Sequence, residues 1–175
     1  MGEEIENLGS LTRVGIISDT HGVVHPRVAE RFAGVEAILH AGDIGGMHVI
    51  RELERIAPVV FIPGNIDGVE DAVRRVTIGG VRVLLTHILP RPRKLAAHVA
   101  RSLRDEPADL VVFGHSHLPH DELVDGVRFF NPASAGPRRF DYPVSIGLLE
   151  HGVPRHVALD ERSEAALAKR MNQLR

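Results

Sequence analysis

The chain has 175 residues, 43% of them hydrophobic and 25% charged, with a formal net charge of −2. That length and balance fit one folded domain with a sizeable core; no apolar run is long enough to span a bilayer and no basic field points to nucleic acid. Cysteine is absent, which excludes disulfides and thiolate metal sites, whereas histidine is abundant at 11 residues.

The opening MGEEIENLGS is acidic and polar, unlike a targeting sequence. Residues 1–12 read as a frayed lead to a single domain over 13–175, and the lack of cysteine suits a cytoplasmic protein. Short apolar runs rich in β-branched residues then predict buried strands over 13–17, 37–39, 59–62, 81–85 and 110–114. Helical spacing predicts helices over 26–34, 46–57 and 93–106 between several of them, so the first part reads as βα units with largely parallel strands. Gly79-Gly80, Asp125-Gly126 and His151-Gly152 read as hairpin turns, which adds antiparallel pairs. The tail 160–175 predicts a surface helix with Asp160 as a possible N-cap. The simplest α/β architecture is two sheets packed together with helices outside.

The residues just past each strand carry the chemistry. The ends hold Asp19 and His21, then Asp43, then Asn65, then His87, then His115 and His117. His21, Asp43, Asn65 and His87 succeed one another at intervals of 22 residues, roughly one strand, one return element and two turns. Parallel strands deliver such residues to one sheet edge, where ligands of open α/β sheets bind. All seven side chains offer an oxygen or nitrogen lone pair. Mixed O and N donors suit Mn²⁺, Fe, Zn²⁺, Co²⁺ or Ni²⁺ better than the oxygen-only sites of Ca²⁺. Seven are too many for one open site, but they suit two ions about 3.5–4 Å apart sharing a carboxylate. Gly22, Gly42, Gly64 and Gly114 beside them give the backbone room to turn. His48, His98, His151 and His156 read as ordinary structural histidines. His25 and His120, in loops near the motifs, are secondary candidates for touching substrate, and His40 for supporting a ligand by hydrogen bonding.

In order, the segments DTH (19–21), GD (42–43), GNID (64–67), TH (86–87) and GHSH (114–117) resemble the motifs of the calcineurin-like metallophosphoesterase superfamily. NPAS (131–134) is similar to a further segment of its small prokaryotic phosphodiesterase-like branch. The resemblance covers about residues 13–160. It implies an αββα fold, two mixed β-sheets packed as a sandwich and flanked by helices. It also implies a hydrolase with two divalent ions, Mn²⁺ first among the candidates with Mg²⁺ also admissible. One ion falls to Asp19, His21, Asp43 and His117; the other to Asp43, Asn65, His87 and His115, with Asp43 bridging. A bridging hydroxide would attack a small phosphoester. Asp43, Asn65 and His87 then serve catalysis through the ions and the bound phosphate.

One departure bears on substrate. Where the family motif G-N-H-[D/E] has a histidine that helps protonate the leaving oxygen, this chain has Ile66, followed by Asp67. That favours phosphodiesters over monoesters. A phosphomonoesterase or nucleotide hydrolase is the alternative among enzymes, and a metal-stabilised protein-binding scaffold the alternative outside them. Arg138 and Arg139 could reach a phosphate but read first as a solvated pair. A homodimer through apolar edge strands is a further expectation.

Overall fold

The structure, a computed structural model, describes residues 6–174. Two sheets form. The five-stranded sheet has the order β11-β10-β2-β3-β4, and the six-stranded sheet β1-β5-β6-β7-β9-β8. In the first, β2 (Arg13–Ile17), β3 (Ala37–Ala41) and β4 (Val59–Ile62) run parallel, with β10 (Ser145–Glu150) antiparallel to β2 and to β11 (Val153–Ala158). In the second, β6 (Val81–Thr86), β7 (Leu110–Val112) and β9 (Val127–Asn131) run parallel, while β5 (Val73–Ile78) and β8 (His120–Val124) are antiparallel to their hairpin partners.

Alternation along the strands explains the layers. Val14, Ile16, Leu39, Val83, Leu85 and Val112 meet in one core between the sheets. Their neighbours face outward and are buried as well. Ile17 and Ile38 pack with α1 (Val28–Arg31) and α2 (Met47–Leu53), and Leu84 and Val111 pack with Val99 of α3 (Ala97–Asp105). A strand covered on both faces reads as a continuous apolar run, as these do in the sequence. The C-terminal helix α4 (Glu161–Gln173) lies against β11, and Asp160 caps it by accepting from the Ser163 N–H at 2.8 Å. Among the described residues, no helix is long and apolar enough to cross a membrane.

The three hairpin turns fall where expected, but several bounds differ. The expected helix over 26–34 is a single turn, Val28–Arg31, whose N-cap Arg27 offers no side-chain cap, with Gly34 at φ 77°. The expected helix over 93–106 starts only at Ala97, because Arg91 and Lys94 first pair in a tight turn. The frayed lead is corrected from residue 6 onward. Glu6 and Asn7 form β1, parallel to β5, and Leu8 and Leu11 pack against the inter-sheet core. Two leucines in a polar stretch supply enough apolar surface to anchor it. Residues 1–5 of that lead lie outside the described residues.

Gly147 of β10 is a point where the two sheets press together. A Cβ there would lie 2.6 Å from the Phe130 ring and 3.0 Å from Ile16, both fully buried. Gly147→Ala is expected to lower stability by about 1–3 kcal/mol through overpacking. Urea unfolding checks this, and adding Phe130→Leu should recover part of the loss.

Candidate metal centre

The carboxyl ends of β2, β3 and β4 in one sheet and of β6, β7 and β9 in the other open onto the same side of the molecule. Backbone bonds lock the emerging loops together: Asp19 N–H donates to Gly42 O at 3.0 Å, His21 N–H to Asp43 O at 3.0 Å and Gly114 N–H to His87 O at 3.1 Å. Five of the seven candidate ligands adopt left-handed backbone: Asp19 (φ 54°), His21 (48°), Asp43 (53°), His115 (69°) and His117 (57°). Non-glycine residues rarely do so, and such strain collects where a site dictates side-chain direction. Strand β7 ends at Val112, so His115 and His117 do not alternate along an extended strand but project from successive left-handed turns. Gly114 is needed for closeness, since a Cβ there would meet Asp19 Oδ2 at 2.7 Å and Ala41 O at 3.1 Å.

The side chains converge. His21 Nε2 lies 3.0 Å from His117 Nε2 and 3.7 Å from Asp43 Oδ2. His117 Nε2 lies 3.3 Å from Asp19 Oδ1. On the other side, His87 Nε2 is 3.1 Å from both Asp43 Oδ1 and Asn65 Oδ1, and His115 Nδ1 is 2.9 Å from Asn65 Oδ1. Asp19, His21 and His117 bring one donor atom each within 4.8 Å of one another, as do Asp19, Asp43 and His87. Asp19 belongs to both groups, while the two oxygens of Asp43 face His87 and His21 separately. His87 donates its Nδ1–H to the Ala41 carbonyl at 2.7 Å. That fixes the tautomer and aims the Nε2 lone pair at the cluster, the usual way a metal-binding imidazole is held.

Residues just outside the cluster hold the loops. Asp67 accepts three backbone N–H groups, from Ile44 and Gly45 at 2.9 Å and from Gly64 at 2.8 Å, and so ties the loop after β3 to the loop after β4. Asn131 donates to Gly114 O at 2.8 Å and Ser116 Oγ at 3.2 Å. Ser134 Oγ donates to Asp19 O at 2.8 Å. The buried His40 ring bonds Thr20 Oγ1 at 2.9 Å and accepts from Gly42 N–H at 3.2 Å, holding both carboxylate loops. The supporting roles of Asp67 and Asn131 are not evident from the sequence, although both residues lie inside the GNID and NPAS motifs. His48 bonds Gly22 O at 2.8 Å, His98 meets Thr86 at 3.2 Å and His156 meets Asn131 O at 2.7 Å. His25 and His120 are engaged with the Arg27 N–H and with Glu122. The arginine pair splits. Arg138 turns to Asp160, Ser163 and Tyr142 O, whereas Arg139 reaches to 3.5 Å from His21 Nε2.

Electrostatics divide the cluster in two. Burial, followed by the charge of Arg139, holds His21 below its ordinary value and takes His117 down to about 4. Both rings are therefore neutral and free to offer lone pairs. On the other side the shifts run toward the protonated forms of Asp19 and His87. Burial pushes Asp19 up to about 7 from 3.8, against the pull of His87. Burial works against a charged His87, but the hydrogen bond with Asp43 and the charge of Asp19 outweigh it and raise that ring. Asp43 is lowered: burial opposes this, but bonds with His87 and the Ile66 N–H overcome it. Facing acceptors 3.0–3.3 Å apart repel unless a proton or a cation lies between them. The donor set and its fixed tautomer therefore fit divalent ions.

The chain is similar to known proteins in sequence and in fold. The calcineurin-like phosphoesterase superfamily domain matches residues 12–152. A "Probable metallophosphoesterase" of Methanothermobacter thermautotrophicus is 34% identical over 143 residues, 76% of this chain and 83% of that protein. The phosphodiesterase YfcE of Escherichia coli is 28% identical over 175 residues, covering 83% of this chain and 91% of that protein. Its crystal structure superposes with a TM-score of 0.64 at 25% identity, over 87% of this chain and 96% of that one. Zn²⁺-complexed Vps29 of Entamoeba histolytica shares the fold, with a TM-score of 0.64 at 22% identity, over 85% of this chain and 99% of that one.

The raised Asp19 carboxyl has a measurable consequence without metal. Above pH 4 the unfolded chain ionises Asp19 while the folded chain keeps it protonated to about pH 7. The Asp19 contribution to stability therefore falls as pH rises through that window and is level beyond it. Asp19→Asn should match the metal-free wild type near pH 4 and become progressively more stable than it toward pH 7, as read by thermal unfolding at each pH.

Proposed function

The chain belongs to the calcineurin-like phosphoesterase superfamily, and from that premise we propose that it hydrolyses phosphodiesters at a centre of two divalent ions. The observation that carries the reading is the convergence of lone-pair-bearing side chains around Asp19 and Asp43, with the His87 Nδ1–H donated from behind to Ala41. We assign one ion to Asp19, His21, Asp43 and His117, and the other to Asp43, Asn65, His87 and His115, with Mn²⁺ the first candidate. Divalent ions bound there supply concentrated positive charge that polarises a phosphoryl group and acidifies water.

The remaining chemistry belongs to the chain. Its loops, pinned by Asp67, Asn131 and Ser134, keep the donors from relaxing apart when empty, so little reorganisation is needed on loading. Ile66 gives its backbone N–H to Asp43 Oδ1 at 3.1 Å and turns an apolar side chain outward. It cannot protonate a leaving oxygen, so that proton comes from solvent. General-acid assistance is worth about 10²- to 10⁴-fold. Its lack weighs most on poor leaving groups, which supports diesters with acidic alcohols over alkyl monoesters. Retention of all seven donors supports turnover over a purely scaffolding role.

Asp43→Asn should cut diester hydrolysis by about 10³-fold or more and lower bound metal while leaving the fold intact. Hydrolysis of an aryl diester with Mn²⁺, metal analysis and circular dichroism check this; an active, metal-poor variant would overturn the reading. Ile66→His should raise the ratio of monoester to diester rates, measured on substrates with the same leaving group.

A further inference from the structure

Soluble surfaces scatter their exposed hydrophobic side chains, and a concentration of them marks a place of contact. Among the described residues, seven large hydrophobic side chains are exposed, and five of them lie within five residues in sequence of a cluster residue or of Arg139, which reaches His21. Val23 comes two residues after His21, Met47 opens α2 just beyond Asp43, Ile66 and Val69 come after Asn65, and Phe140 adjoins Arg139. The other two, Leu123 and Val153, lie in β8 and β11.

Phe140 is 81% exposed and has φ 52°, a backbone state that a bulky aromatic residue rarely holds. The stretch leading to it is tied down: Ala135 N–H donates to Ser18 O, Ser134 Oγ donates to Asp19 O, Gly136 lies so tightly against Thr20 that a Cβ would not fit, and Arg138 donates to Tyr142 O and Asp160. The chain thus sets Arg139 beside His21 and leaves the adjoining ring in solvent, with Tyr142 tilted against it at 5.5 Å. Across the centre, Ile66 is 48% exposed even though its own N–H is spent on Asp43. A cationic group at the His21 end, with an exposed ring next to it in the chain and an exposed aliphatic residue bonded through its backbone to Asp43, complements an anion carrying two apolar arms.

We propose that this rim is the specificity element of the centre: Arg139 pairs with a phosphoryl oxygen, while Phe140 and Ile66 receive the aromatic ester groups of a diaryl-type phosphodiester. The proposal rests on the reading that the centre binds phosphoesters. It also accounts for the missing acid. A phenol has a pKa near 10 against 15.7 for water, so an aromatic alcohol can leave as its anion without a proton donor. The oxygen of water bonds to phosphorus, the P–O bond to the aryl group breaks with its electron pair on the aryl oxygen, and the proton lost by water goes to solvent.

Diphenylphosphinate and dimethylphosphinate, anions with no ester bond to cleave, separate binding from turnover. Calorimetry on the full chain loaded with Mn²⁺ should find the diphenyl compound bound about tenfold or more tighter, the expected worth of buried aromatic surface. Phe140→Ser should collapse that preference to below about threefold, and Arg139→Gln should weaken both anions by about tenfold. Equal binding of the two by wild type, or a preference untouched by Phe140→Ser, would overturn the proposal. Equal binding together with a mass that doubles with concentration in a Phe140-dependent way would give the rim to a second copy of the chain instead. An aryl preference in a protein that turns over no phosphoester would sink the hydrolase reading and leave the rim assignment standing.

Discussion

Seven side chains that can each give a lone pair are held facing one another, and the rest of the molecule is arranged to stop them from turning away. His21 and His117 nitrogens stand 3.0 Å apart, and His87 lies 3.1 Å from both an Asp43 and an Asn65 oxygen. In water such groups would separate and hydrate. Here they sit at the junction of two sheets, with Asp19 and His87 fully buried. Held together in this way, they rely on shared protons or on entering positive charge to offset their mutual repulsion, which is the general condition of a preorganised cation site.

The opposing force comes from the backbone. Left-handed residues carry a cost of order 1–3 kcal/mol each when not glycine, and five residues of the cluster adopt that state. The cost is met by bonds that do not touch the cluster. Asp67 gathers three N–H groups, Asn131 holds the loop of His115 and His117, and His40 bridges the loops of Asp19 and Asp43 through Thr20 and Gly42. Close approach completes the lock: a Cβ on Gly42 would strike the His87 ring at 2.6 Å. Removing one of these supports is therefore a change to ligand direction before it is a change to global stability.

The strands and the seven donors are legible in the sequence because both obey short-range rules. Apolar runs mark strands buried on two faces, and a residue just after a parallel strand must emerge at one edge. Direction is not legible in the same way. Arg138 and Arg139 are adjacent and identical in type, yet one is drawn back to Asp160, 22 residues along the chain, and the other is left facing His21. That choice depends on where α4 docks, a long-range fact. Asp67 looks idle without a histidine to orient; its work is with backbone groups, which carry no sequence signature. The lead hides its order for a related reason, since Leu8 and Leu11 gain their partners only once β5 is in place.

The two halves of the cluster differ in how they would take up a cation. His21 and His117 are neutral throughout the neutral range, because burial and the guanidinium of Arg139 both disfavour their charged forms. A cation on that side meets ready lone pairs. On the other side Asp19 is pushed up to about 7 and His87 is raised by its carboxylate neighbours, so a cation there would compete with protons. Cation affinity there would be coupled to proton release and would rise with pH until Asp19 and His87 had lost their protons. Arg139 thus stands in tension with the site. It opposes the entry of positive charge by simple repulsion, yet it keeps two imidazoles in their ligating form and offers a counter-charge to an anionic guest. An exposed guanidinium is screened by solvent, so the repulsion is weak; its effect on His21 at 3.5 Å is local. The balance therefore favours a residue that would serve an anionic guest more than it would hinder entering cations.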